Sequence, residues 1–393
     1  MTMIPKIRFS EFVEEWKETT LADVAFINPH SEIPNVFEYV DLESVSGTQM
    51  LNHRTEKIES APSRAQRLAK KGDIFYQTVR PYQKNNYYFD IDSSSKYVFS
   101  SGYAQIRTSI DGKFLFSLLQ SDFFVNQVLE NCTGTSYPAI APSALAKLKI
   151  KISPTLSEQC RISQFFTLLD ETIRLEGERL LSLKQVKAAS LQSFFPQEGE
   201  KEPRVRFKGF SGEWKKVKIG EIFKERNEQN IHGEMLSVTM NNGIIKASEN
   251  GRFDNSNDDK SHYKVVKIGD IAYNSMRMWQ GASGCSAYEG IVSPAYTVLN
   301  PQEGIDSLFF SYLFKCQNML KVFRFNSQGL TSDTWNLKYP TLSQIEIQYP
   351  ESLAEQRALS TYFTNIDEQI RLVSEKIEKM KKVKGACLEG MMV

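Results

Sequence analysis

With 393 residues the chain is too long for one ordinary domain, and two or three are expected. Hydrophobic residues make up 41% and charged residues 24%, the balance of a globular protein with cores of its own, and no apolar run nears the roughly 20 residues a membrane span needs. A formal charge of +1 excludes a generic polyanion binder but leaves room for a local basic groove. The first dozen residues lack the apolar stretch of a secretion signal, so a cytoplasmic protein is expected. Cys132, Cys160, Cys285, Cys316 and Cys387 are odd in number and lack CxxC spacing. They read as free buried thiols rather than zinc ligands or a disulfide framework.

In chain order, Ile7-Arg8-Phe9-Ser10-Glu11-Phe12 runs on to Glu15-Trp16-Lys17. Glu-x-Lys could belong to a metal nuclease, but such a site needs a further acidic group to hold Mg²⁺, and no Pro-Asp dipeptide precedes it. Trp16 is expected instead to pack the opening strand onto its domain, as is Trp214 later in the chain. The next stretch is rich in aromatic and β-branched residues and carries the turn signal Asp111-Gly112, which predicts a mainly β or α+β domain. Ile74–Arg80 predicts a strand with Ile74, Tyr76, Thr78 and Arg80 on one face, ended by Pro81, which has no N–H for a ladder. The loop Pro81–Asn86 follows, and then a helical stretch over Phe114–Leu129. From about Glu158 to Ser193 a helix of roughly 50 Å is expected. Its apolar stripe is Ile162, Phe166, Leu169, Ile173, Leu180 and Leu183, with Glu176 breaking one position.

The rest of the chain repeats this plan about 197 residues later. Val205-Arg206-Phe207-Lys208-Gly209-Phe210 with Glu213-Trp214-Lys215 answers the opening. Gly72-Asp73-Ile74, Tyr76, Arg80 and Gln83 recur as Gly269-Asp270-Ile271, Tyr273, Arg277 and Gln280. Turn signals stand at Asn242-Gly243 and Asn250-Gly251, and a helical stretch at Leu308–Phe323. Glu158-Gln159 and Asp170-Glu171 return as Glu355-Gln356 and Asp367-Glu368. A second stripe, Leu359, Phe363, Ile366, Ile370, Val373, Ile377 and Met380, keeps a strict 4-3 spacing, the seam of a left-handed coiled coil. One stripe alone would suit a helix lying on a domain core. Two matching stripes predict that the helices pack together antiparallel, so that the duplication carries a pseudo-two-fold axis. Two domains related in this way suit a ligand with two separated sites, of which duplex DNA is the commonest, and a purely structural spacer is the alternative.

Three surfaces carry the chemistry of base and phosphate contact. The first is the strand end Arg80 with Gln83, Lys84, Asn85 and Asn86, matched by Asn274, Arg277, Trp279 and Gln280. Arginine can hold guanine bidentately, and asparagine or glutamine adenine. The second is the polar loop with Ser136 and Tyr137, matched by Ser332 and Trp335; the third is Arg64 and Arg67, answered loosely by Lys260 and His262. The plain alternative for Arg80 and Arg277 is a structural role, because a residue shared by two heads cannot explain two different sequences read. His30, His53, His232 and His262 lack metal-ligand spacing. No GxxxxGK(S/T) phosphate loop is present. Asn28-Pro29-His30 falls short of the (N/D/S)-P-P-(Y/F) loop of adenine methyltransferases.

The runs Pro154…Ser157-Glu158-Gln159, Phe165-Phe166, Leu169-Asp170-Glu171-Thr172-Ile173 and Leu183-Lys184…Lys187 resemble the central helix of type I restriction–modification specificity subunits. Pro350…Glu355-Gln356 through Met380-Lys381-Lys382-Val383-Lys384 resembles their C-terminal helix. The two openings resemble the starts of that family's target recognition domains. The resemblance implies recognition domains at 1–153 and 201–349, with a central helix and linker at 154–200 and a C-terminal helix at 350–393. It implies a non-catalytic subunit reading a bipartite site in double-stranded DNA, with two methylation and two restriction subunits docked on the helices. S-adenosylmethionine, ATP and Mg²⁺ would then sit on those partners, with no cofactor, metal or membrane bound by this chain. A single-chain nuclease or a methyltransferase with atypical motifs is the alternative.

Overall fold

The computed structural model describes residues 4–240, 242–249 and 260–392. The Asn250-Gly251 turn signal lies outside them. The chain divides into two compact units, one of residues 1–178 with 375–393, the other of 179–374. Each long helix, Leu156–Ser193 and Leu353–Met391, therefore contributes to both units. Among the described residues no helix is long and apolar enough to cross a membrane.

In the first unit the opening strand Lys17–Thr20 pairs antiparallel with Lys149–Ile152, the strand that leads into the long helix. One four-stranded sheet runs in the order Ala25–Ile27, Tyr103–Thr108, Ile74–Gln77, Tyr87–Tyr88. A second runs Arg54–Lys57, Val36–Val40, Tyr97–Ser100, Ala65–Leu68, with one parallel pair at its centre. The main core joins the first sheet to two helices and gathers Trp16, Ile74, Tyr76, Phe114, Phe124, Ile162 and Phe166. It is completed by Leu388, Met391 and Met392 from the end of the second long helix. The backbone closes there too, with Ile7 N–H donating to Gly390 C=O at 2.8 Å.

The second unit repeats the frame. Lys215–Lys218 pairs with Glu346–Tyr349, and a four-stranded sheet runs Phe223–Glu225, Tyr296–Pro301, Ile271–Asn274, Ser283–Cys285. Its core is completed by Phe194 and Phe195 from the end of the first long helix, beside Trp214, Phe309, Phe310, Leu359 and Phe363. Val205 N–H donates to Ser193 C=O, the image of the Ile7–Gly390 closure.

The expected coiled coil is present in both units. In the first, Lys384 pairs with Asp170 and Lys376 with Glu176; in the second, Lys187 pairs with Asp367 and Ser190 bonds Tyr362. Ascending numbers on one helix meet descending numbers on the other, so the pairing is antiparallel. Glu176, the misfit in the stripe, faces a lysine rather than an apolar knob.

Three local expectations need correction. Phe114–Leu129 forms two helices, Gly112–Leu119 and Asp122–Glu130, because Ser121 turns extended and its side chain caps the second at Phe124 N–H. Leu308–Phe323 likewise forms Ser307–Leu313 and Gln317–Asn326, broken at an extended Cys316. Asp111-Gly112 is a helix start, with Asp111 accepting from Phe114 N–H, whereas Asn242-Gly243 does turn a hairpin of Leu236–Thr239 with Gly243–Lys246.

Candidate nucleic-acid interface

The repeated residues first build a frame. Arg8 holds Glu158 through two bonds of 2.7 and 2.8 Å, and Arg206 holds Glu355 through two of 2.8 Å. Each guanidinium also donates to a backbone carbonyl of its own opening, Glu14 or Gly212, at 2.6 Å. The opening stretch is thus clamped to the first turn of the long helix. Burial opposes ionisation of Glu158, but Arg8, the Ser153 hydroxyl and Trp16 Nε1 outweigh it and hold the carboxyl below the ordinary glutamate range. Trp16 and Trp214 are 1% and 3% exposed and sit in the two main cores, as the sequence led us to expect. Gln159 and Gln356 each bond the strand end before the helix, at Ser153 C=O and Pro350 C=O. Asp73 and Asp270 are each gripped bidentately by an arginine, Arg107 in one unit and Arg226 in the other. These part-buried pairs tie down the sheets on which the loops stand.

In the first unit the strand stops at Gln77, three residues earlier than expected. The chain leaves the sheet to bridge Val79 with Ala139, and Arg80 N–H donates to Pro138 C=O at 2.7 Å. Arg80 is left-handed, with φ of 53°, and Pro81–Gln83 forms a short 3₁₀ turn. Arg80 therefore does not share a strand face with Tyr76. Instead its guanidinium lies 4.3 Å from the centre of the Tyr137 ring. Two candidates from loops more than fifty residues apart so form one cation–π pair, Arg80 half-buried and Tyr137 exposed, with Ser136 exposed beside them. Gln83 accepts from Gln77 Nε2 at 3.0 Å, and Lys84 donates to Gln120 C=O and to Asp122. Asn85 accepts from Gly47 N–H. Asn86 is buried and accepts from Gln77 N–H, which gives it a structural part rather than a reading one. Arg64 is exposed, and its carbonyl accepts from Ser101 N–H, next to the Gly102 carbonyl that holds Thr78. Arg67 is half-buried. Burial pushes its guanidinium below arginine's ordinary value, and its buried Nε has no hydrogen-bond partner among the described residues.

The second unit turns the same residues to another use. The strand ends at Asn274, whose side chain accepts from Met276 N–H at 3.0 Å. Asn274, Arg277 and Gln280 line a polar cleft of about 520 Å³ together with Ser237, Thr239 and Asn242 of the hairpin. Trp279 is drawn away from that cleft and meets Trp335 edge to face at 5.2 Å, and Arg324 lies 5.4 Å over the Trp335 ring. Ser332 is exposed, and Lys260 and His262 stand on a separate turn closed by Tyr263 N–H to Lys260 C=O. Sequence reasoning missed Arg324 and the hairpin residues. The one available signal for Arg324 was a cation on the last turn of a helix just ahead of the polar loop.

Each unit therefore presents guanidinium, amide and aromatic groups on loops held by a rigid sheet. Such groups can hydrogen-bond base edges, pair with phosphates and stack. Among the described residues no cluster of three or more His, Cys, Asp or Glu is placed to hold a metal.

Comparisons with known proteins agree with this picture. The family model for the type I restriction modification DNA specificity domain matches twice, over residues 13–185 and 211–382. The specificity subunit of the type I restriction enzyme HindI from Haemophilus influenzae is 28% identical over 194 residues. That match takes in 47% of this chain and only 41% of the relative's own length. The type I restriction–modification S subunit of M. genitalium shares the fold with a TM-score of 0.61 at 14% identity, over 100% of this chain and 99% of that one. A structure from work on complex assembly and conformational transition of the type I R-M system gives 0.55 at 21% identity, over 95% and 96%. The two family matches fall one on each repeat and together span most of the sequence, so the chain belongs to the type I restriction modification DNA specificity family.

Proposed function

We propose that the chain is the non-catalytic DNA-specificity subunit of a type I restriction–modification complex in the cytoplasm. In this reading residues 1–153 and 201–349 are the two target recognition domains, each reading one half of a bipartite site in double-stranded DNA. The helices at 154–200 and 350–393 set the spacing and dock two methylation and two restriction subunits. The observation that carries the reading is that both units bear the family match and both set an arginine against the aromatic side chain of the polar loop, Arg80 on Tyr137 and the helical Arg324 on Trp335. Arg64, Arg67, Arg80, Gln83, Lys84, Asn85, Ser136 and Tyr137 would contact the first half-site. Asn274, Arg277, Trp279, Gln280, Ser332 and Trp335 would contact the second. S-adenosylmethionine, ATP and Mg²⁺ belong to the partner subunits.

The test is to express the chain with its methylation subunits in a host lacking other adenine methylation and to sequence the methylated adenines. One asymmetric bipartite motif is expected, absent when the chain is omitted. The purified chain alone should bind neither S-adenosylmethionine nor ATP in calorimetry. Methylation that persists without the chain, or tight cofactor binding by the chain alone, would overturn the reading.

A further inference from the structure

The loop Gln328–Asn336 of the second unit carries a side chain for which the fold has no use. Leu330 is 101% exposed, and Phe325, at the end of the helix that leads into the loop, is 85% exposed. Singly exposed apolar side chains are ordinary on a protein surface, Val13, Phe26 and Leu168 among them here, so exposure alone marks nothing. Leu330 stands on a closed and braced loop. Gln328 and Asn336 exchange both backbone hydrogen bonds, at 3.0 and 2.8 Å. Thr334 and Trp335 N–H both donate to Thr331 C=O, and Thr331 N–H donates to the Thr334 hydroxyl. Gly329 has a φ of 152°, and a Cβ there would lie 2.6 Å from Thr334 C=O, so only glycine fits. Trp335 is wedged against Trp279 at the loop's base, with the Arg324 guanidinium over its ring.

The first unit builds the same loop with a different tip. Thr133 and Ala139 close it, and Gly134, with a φ of 88°, leaves 3.0 Å between a would-be Cβ and Tyr137 C=O. Its exposed aromatic, Tyr137, is covered on one face by Arg80. No bare aliphatic side chain projects from it: its residues are Thr133, Gly134, Thr135, Ser136, Tyr137 and Pro138.

We propose that Leu330 is a wedge that inserts between two base pairs of the half-site bound by the second unit and unstacks that one step. This rests on the DNA-specificity reading above. Proteins that unstack DNA from the minor groove do so with inserted phenylalanine, leucine, isoleucine, methionine or proline wedges, and read that groove with arginine, lysine, asparagine or glutamine. Leu330 supplies the apolar side chain, the braced loop the support, and Arg324 the cation at its base. The first half-site, met by a tyrosine already engaged with an arginine, stays stacked. The second domain then reads how easily one step opens as well as base edges, and pyrimidine–purine steps, which open most readily, are favoured there.

The test uses the full-length chain assembled with its methylation subunits on a duplex carrying its mapped site, with 2-aminopurine placed in turn at each adenine. Wild type should raise the fluorescence at a step of the second half-site other than the methylated adenine, which is extruded in any case. Leu330→Ser should abolish that rise and Leu330→Met should keep it. Permanganate reactivity of thymines at the same step should follow the same pattern. A rise confined to the methylated adenine and unchanged in Leu330→Ser overturns the wedge while leaving the DNA reading intact. Failure of Leu330→Ser to assemble with the methylation subunits in the absence of DNA also overturns it and marks Leu330 as a protein contact. Failure of the wild-type complex to bind any sequence preferentially overturns the reading itself, and the wedge with it.

Discussion

The two units use their repeated residues alike at the foot of the long helices and differently at the loop tips. Arg8 and Arg206 grip Glu158 and Glu355 in the same bidentate geometry. Arg80 and Arg277, just as much a repeated pair, part company: one is left-handed and stacked on Tyr137, the other lines an open cleft with Asn274 and Gln280. Retention of a residue in both copies therefore marks frame or reading surface only once its partners are known. A buried charge has one workable partner and cannot drift. A half-buried guanidinium at a loop end, as at Arg80 and Arg277, can be reaimed by one change of backbone dihedral.

The largest test of that comparison removes one copy. A fragment of residues 1–200 loses Leu388, Met391 and Met392, which complete the first core, and the apolar seam of the second helix. Its own Leu191, Phe194 and Phe195 are the repeat images of the missing residues. A second copy can offer them, together with Lys187 for Asp170 and Arg179 for Glu176. Burying large side chains of this kind is worth about 1.5–3 kcal/mol each, so the fragment should form a two-fold symmetric dimer. With methylation subunits that dimer should recognise the first half-site and its inverted copy. Sedimentation of a folded, strictly monomeric fragment at micromolar concentration would contradict the shared design of the two frames.

The next test breaks the frame in one unit at a time. Arg8→Ala leaves Glu158 buried without its guanidinium and should cost about 3–5 kcal/mol in the unfolding of the first unit, with Arg206→Ala doing the same for the second. The sign with pH follows from Glu158. Its folded pKa is depressed below the ordinary value of 4.5, so the clamp contributes in full above that pH. The contribution fades as pH falls through the lower folded value. Wild type and Glu158→Gln should therefore differ most near neutrality and converge in acid, read from denaturant midpoints across pH.

Much of this frame was legible in the sequence. The repeat offset, both long helices, the seam and the buried role of Trp16 and Trp214 follow from spacing and residue type alone. The Arg8–Glu158 clamp did not, although both residues stood out as repeated, because nothing local joins positions 150 apart. Completion of the first core by Met391 and Met392 was hidden for the same reason. The site was less legible still. Sequence placed Arg80 on a strand face, whereas a left-handed backbone at Arg80 and the bridge of Val79 to Ala139 swing it onto Tyr137. Ser121 and Cys316 broke two expected helices, since a cap can end a helix inside an unbroken apolar pattern.

At the loops proposed to meet DNA, Arg80→Ala and Arg277→Ala should each weaken DNA binding by the assembled complex by about 1–3 kcal/mol if the guanidinium meets a base. Specificity should relax in one half-site only, the first for Arg80 and the second for Arg277, as scored by binding to site libraries. A uniform loss over all sequences would assign that arginine to phosphate. Tyr137→Ala should cost less than Arg80→Ala, because an exposed cation–π contact is worth about 0.5–1 kcal/mol.

The smallest expected effect lies in the seam, where the two units are nearly but not quite alike. Asp170 with Lys384 and Asp367 with Lys187 are repeat images, and all four side chains are partly exposed. Such pairs couple by about 0.2–1 kcal/mol. In the second unit Asp367 also accepts from the Tyr312 hydroxyl at 2.9 Å, and Lys187 lies 5.5 Å from the centre of the Tyr312 ring. The corresponding position in the first unit is Ser117, whose hydroxyl is spent on Lys113 C=O. Tyr312 holds both charges in place and shields them from water on one side, so less side-chain freedom is lost when the pair forms. A double-mutant cycle with Asp367→Asn and Lys187→Gln should therefore give a larger coupling than one with Asp170→Asn and Lys384→Gln. The excess should be about 0.5–1 kcal/mol, and Tyr312→Phe should remove roughly the hydroxyl's share of it. Equal couplings in the two cycles, measured by denaturant unfolding at the same ionic strength, would show that the tyrosine adds nothing and that the seam is as symmetric in energy as it is in sequence.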